Sequence, residues 1–71
     1  MTKLEIRLHA AGYSFEKERE MLYYPKTILV KLYVKQNSNG TVSKVFVNRE
    51  EIISSHNVPY KELRRLTAPD V

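Results

Sequence analysis

The sequence predicts an α+β fold: a small three-stranded antiparallel sheet, built on a central β-hairpin over residues 27–48, with one or two helices packed on it. Three observations carry this expectation. Leu4, Ile6 and Leu8 alternate with Glu5, Arg7 and His9, the period of a half-buried strand. Two β-branched and aromatic runs flank Asn37-Ser38-Asn39-Gly40, and Asn-Gly is the strongest short hairpin signal because a type I′ turn needs positive φ at both central residues. A final run, Pro59-Tyr60-Lys61-Glu62-Leu63-Arg64-Arg65-Leu66, has proline where a helix begins and leucines on one side.

Taken in order, Lys3–His9 forms the first predicted strand, broken by Ala10-Ala11-Gly12. Ser14 then caps a predicted helix over residues 14–24, with Glu16 and Glu18 near its positive end and Pro25 stopping it. In the hairpin, a two-residue loop at Asn39-Gly40 places Val34 opposite Val45 and Leu32 opposite Val47. Ile28, Val30, Leu32, Val34, Val45 and Val47 then share an apolar face. The other face pairs Tyr33 with Phe46, Lys35 with Lys44 and Lys31 with Asn48. A three-residue loop Ser38-Asn39-Gly40 is the alternative, and it slips the register by one, which moves every side chain relative to its cross-strand partner. Residues 67–71 read as a frayed tail.

Seventy-one residues make one domain, 1–71, with one small core. Such a chain hides only about 60% of its unfolded surface, which leaves little room for a deep catalytic pocket. With 42% hydrophobic and 28% charged residues, general disorder is not expected. The N-terminus lacks the apolar core of a signal peptide, and no apolar run approaches a membrane span. There is no cysteine, and His9 and His56 lack neighbours with ligand spacing, so neither metal nor cofactor is expected. Ser54-Ser55-His56 is adjacent in sequence, which does not align a nucleophile with its base. The expectation is a cytoplasmic protein that is not an enzyme.

Charge gives the functional lead. The net charge is +4, and between Met21 and Arg49 the chain holds Lys26, Lys31, Lys35, Lys44 and Arg49 with no acid. Clustered cations suit a polyanion or an acidic protein surface. Tyr33 and Phe46 between Lys31, Lys35 and Lys44 could stack bases while the cations hold phosphates. The competing reading, and the favoured one for this face, has helices covering it and the aromatics in the core.

Residues 50–66, from Glu50 to Leu66, resemble the helix-turn-helix unit of bacterial repressors. Ile52, Val58, Leu63 and Leu66 fall at its packing positions, and Asn57 falls at its turn glycine. The resemblance implies that Tyr60, Lys61, Arg64 and Arg65 lie on a recognition helix facing a DNA major groove. Ile53 and His56 depart from the motif, which favours the alternative: a loop or strand followed by a single packing helix. The expected function is therefore a small nucleic-acid-binding regulator, with DNA ahead of RNA, using Lys31, Tyr33, Lys35, Lys44, Phe46, Tyr60, Lys61, Arg64 and Arg65. A protein-binding module or inhibitor, of the kind phage and mobile elements encode against host proteins, is the alternative. A homodimer is also expected, because a short sheet leaves two edges unpaired.

Overall fold

The computed structural model describes residues 2–68. The chain runs α1 (Lys3–Ala10), β1 (Ser14–Tyr23), β2 (Lys26–Gln36), β3 (Val42–Asn48), β4 (Glu51–His56) and α2 (Tyr60–Thr67). The four strands form one antiparallel sheet in the order β1-β2-β3-β4. The class is α+β as expected, but the sheet has four strands rather than three. The first two elements exchange character: Lys3–Ala10 is a helix, and Ser14–Tyr23 is a strand.

The helix at the N-terminus has a local cause. Thr2 and Glu5 form a capping box: the Thr2 hydroxyl accepts from the Glu5 amide at 3.2 Å, and the Glu5 carboxylate accepts from the Thr2 amide at 3.2 Å. Leu4 and Leu8, four residues apart, are buried on one helix face, whereas Ile6 is 55% exposed. Apolar residues at positions 4, 6 and 8 suit a strand, but the pair 4 and 8 alone suits a helix equally well. Gly12, at φ +97°, closes the helix. Its amide donates to the His9 carbonyl and the Tyr13 amide to that of Leu8, the paired bonds of a Schellman turn. Gly12 therefore ends a helix, where the sequence alone suggests the end of a strand.

β1 is built of residues with good helix propensity, yet it pairs with β2 along nearly its whole length. Pairing with a strongly β-forming partner overrides a weak local preference. Pro25, expected to stop a helix, instead sits in the two-residue turn between β1 and β2, after a cis Tyr24–Pro25 bond.

The central hairpin lies where expected, but its register is the alternative one. Tyr33 faces Val45, Lys31 faces Val47, and Val34 faces Lys44. The loop is Ser38-Asn39-Gly40, closed by the Asn37 amide on the Thr41 carbonyl at 2.9 Å. Asn39 accepts from the Thr41 amide and hydroxyl, at 3.1 and 2.6 Å, and the Asn37 side chain donates to the hydroxyls of Thr41 and Ser43. These side-chain bonds favour the longer loop over the two-residue turn. Gly40 adopts φ +85° with open space around its Cα. Gly40→Ala should therefore cost only the left-handed penalty, about 1 kcal/mol, read as a lower urea midpoint with an unchanged slope.

β4 follows a two-residue link in which Arg49 is left-handed. Glu51–His56 is thus a strand, not the first helix of a helix-turn-helix; the strand-then-helix alternative is what forms. Asn57 is left-handed, as its type allows, and its carbonyl accepts from the buried Ser43 hydroxyl at 2.6 Å. Thr67 still belongs to α2, and residues 69–71 of the expected tail lie outside the described residues.

Both helices pack on the same face of the sheet. The core joins Leu4 and Leu8 of α1, Tyr13, Tyr33 of β2, Val45 and Val47 of β3, and Leu66 of α2, with Ala11, Ile52 and Val58 packed against it. Arg7 ties the helices together by donating to the Leu66 and Ala68 carbonyls, at the negative end of α2.

Candidate functional site

Strand alternation divides the sheet into a helix-covered face and a helix-free one. The one-residue register difference decides which cations fall on which. Lys31, Tyr33 and Lys35 lie under the helices. Tyr33 is buried, and its hydroxyl donates to Glu5 Oε2 at 2.6 Å. Burial, reinforced by the Glu5 carboxylate, pushes the Tyr33 phenol up to about 12. The Tyr33 hydrogen bond, followed by the Thr2 amide, holds the Glu5 carboxyl down at about 2. Lys31 lies 3.7 Å from the same carboxylate. Lys35 reaches Glu62 of α2 at 2.7 Å and sits 5.2 Å from the Tyr13 ring centroid. Three of the nine expected site residues are thus committed to internal contacts. Tyr33 is a core residue, as the competing reading held, and it does not pair with Phe46. Lys35 and Lys44 do not face each other either: Lys35 is opposite Ser43, on the other face.

The helix-free face carries Lys44 and Phe46 together with residues that sequence reasoning passed over. One cross-strand row runs Lys17–Leu32–Phe46–Ser54, and the next runs Ser14–Val34–Lys44–His56. Arg19 lies opposite Val30, and Met21 opposite Ile28. Val30 and Leu32 are buried although they stand apart from the core under the helices. The stems of Lys17 and Arg19 are placed to cover them, with the charged heads left in water. Lys17, Arg19 and Lys44 carry no ion pair among the described residues. Around the half-buried Phe46 ring this face is therefore an apolar floor bordered by Lys17, Arg19 and Lys44, with Lys26 farther off at the β1–β2 turn.

Lys17 and Arg19 were legible in principle. Glu16-Lys17-Glu18-Arg19-Glu20 alternates in sign at period two. Read as a strand, it puts Lys17 and Arg19 on one face and Glu18 and Glu20 on the other.

The remaining expected residues lie on α2. Tyr60, Lys61, Arg64 and Arg65 are all exposed, and the Arg64 guanidinium lies 5.8 Å from the Tyr60 ring centroid. They are separated by the sheet from Lys44 and Phe46, so the nine residues do not form one surface.

Among the described residues no group of three metal-ligating side chains comes together, and no helix is long and apolar enough to cross a membrane. No protein family, curated protein or solved structure matches the chain.

Proposed function

We propose that this protein is a small non-enzymatic nucleic-acid-binding regulator of the cytoplasm that takes single-stranded DNA or RNA on the helix-free face of its sheet. The observation that carries this reading is the sorting of cations by face. Lys31 and Lys35 are neutralised under the helices, while Lys17, Arg19 and Lys44 stand unpaired around Phe46 on an apolar floor. Bases stack on an aromatic ring whatever their identity, and cations at the rim meet the phosphates. With no helix-turn-helix, a major-groove mode has no recognition unit to support it, so single strands are favoured over duplex.

The test is a titration of labelled protein with a single-stranded oligonucleotide. Amide shifts are expected at Lys17, Arg19, Lys44 and Phe46 and not at Lys31 or Lys35. Shifts confined to α2, or no binding near physiological salt, would sink the reading.

A second reading, a protein-binding module, is favoured by the hairpin tip. Leu22 is 73% exposed, Tyr24 89% and Leu29 56%. β1 is also an unpaired sheet edge. A second copy does not suit that edge. Centred on any residue from Lys17 to Glu20, two-fold antiparallel pairing sets Glu against Glu or cation against cation. The expected homodimer is then left to the β4 edge or the tip, and the β1 edge to a strand of different sequence.

A further inference from the structure

Four further cations meet on the opposite side of the molecule. A groove of about 590 Å³ between the end of α1 and α2 is lined by Arg7, Lys35, Lys61, Glu62 and Arg65. Among the described residues four cations there meet one acid, and that acid is already engaged, with Glu62 Oε1 2.7 Å from Lys35 Nζ. Arg7 is committed to the carbonyls of Leu66 and Ala68. Lys61 and Arg65 are exposed and have no ion pair among the described residues.

Packing does not account for that pair. Like charges four residues apart on a helix repel. Lys61 also lies in the first turn of α2, at the positive end of the helix dipole. Arg65 sits in the last turn, where the dipole favours it, and Glu62, the acid of the first turn, is engaged by Lys35, so among the described residues Lys61 is left without an ion pair. An anion in the groove would offset both costs, and Ala10, Ala11 and Leu66 supply an apolar wall that strengthens the attraction.

We propose that this groove binds a phosphate dianion. The Arg65 guanidinium offers a planar fork to two phosphate oxygens, and Lys61 supplies a mobile point charge. Arg7 is held by the Leu66 and Ala68 carbonyls, and the Lys35–Glu62 pair adds no net charge, so the unpaired cations of the groove are Lys61 and Arg65. The lining shares no residue with the sheet interface, so this site stands or falls independently of the function proposed above.

Inorganic phosphate at pH 8 is the probe, titrated into ¹⁵N-labelled protein. Saturable shifts are expected at Ala11, Lys61 and Arg65, and sodium chloride of matched ionic strength should not reproduce them. Lys61→Gln/Arg65→Gln should weaken binding at least tenfold, while Phe46→Ala leaves it unchanged. Both substituted cations are exposed, so the double variant should keep its amide spectrum. Shifts that never saturate, that chloride reproduces, or that persist in the double variant overturn the proposal. Two oligonucleotides then separate the sources of the phosphate, with Phe46→Ala silencing the sheet. A 5′-phosphorylated strand that binds more tightly than its 5′-hydroxyl twin assigns the groove to strand ends. Equal binding, with inorganic phosphate still saturating, assigns it to a small phosphorylated molecule.

Discussion

Glu5→Ala should lower stability by roughly 3 kcal/mol, combining about 1 kcal/mol for a lost N-cap partner with about 2 kcal/mol for a buried hydroxyl left unpaired. Glu5 closes the capping box with Thr2 and accepts the buried Tyr33 hydroxyl at 2.6 Å. For a domain of this size that is a fall in melting temperature of roughly 12–24 °C, read by calorimetry. Glu5→Gln keeps the shape and an acceptor oxygen and should cost about half as much. A double-mutant cycle with Tyr33→Phe isolates the cross-element bond, and a coupling near zero would show that the contact contributes nothing.

The same pair sets two pH windows. The Glu5 carboxyl is lower in the folded chain, about 2 against an ordinary 4.5, so its contribution is present above 4.5 and is lost as pH falls from there to about 2. The Tyr33 phenol is higher, about 12 against 10, so its contribution is present below 10 and is lost as pH rises from there to about 12. Stability followed by urea midpoint should drop at both ends in the parent protein. In Glu5→Gln the acid limb should flatten.

Replacing Lys17, Arg19 and Lys44 together with glutamine should reduce the salt slope of single-strand binding by about 2, since each phosphate contact on a single strand contributes about 0.7. Phe46→Ala should act differently: a loss of about 1–3 kcal/mol, or roughly 5- to 150-fold in affinity, with the slope unchanged. Lys31→Gln is the control, because Lys31 lies on the covered face and outside the groove beside α2. A slope that falls as far in this control as in the triple variant would return the interface to the covered face. Glutamine preserves part of the stems over Val30 and Leu32, so folding should survive and urea curves can verify it.

The elements most legible in the sequence were those with explicit punctuation. The hairpin over 27–48 was located by Asn37–Gly40, and α2 by Pro59 and its leucines. The N-terminal half was read in exchanged form. Leu4, Ile6 and Leu8 satisfy two periods at once, and the deciding signal was the Thr2–Glu5 capping box, with Gly12 as its closing counterpart. Residues 14–24 carry helix-forming side chains, and only the partner strand makes them extended. Of the candidate site, the strand alternation of β3 alone puts Lys44 and Phe46 on one sheet face. Lys17 and Arg19 escape the sequence because residues 14–24 carry helix-forming side chains and become extended only against β2.

The amino-acid sequence by itself determined the α+β class, the presence and place of the central hairpin and final helix, and an acid-free positive middle segment. These are local properties: turn chemistry, proline geometry and composition. The tertiary structure alone decided the register of that hairpin, and with it the surface. Even-numbered Val30, Leu32 and Val34 and odd-numbered Tyr33, Val45 and Val47 are both apolar sets, so either register buries hydrophobic area. What separates them is long-range: the helices cover the face where Tyr33, Lys31 and Lys35 find Glu5 and Glu62, acids contributed from residues far away in the chain. Pairing those two lysines with distant carboxylates leaves Lys17, Arg19 and Lys44 as cations of the helix-free face without an ion pair among the described residues.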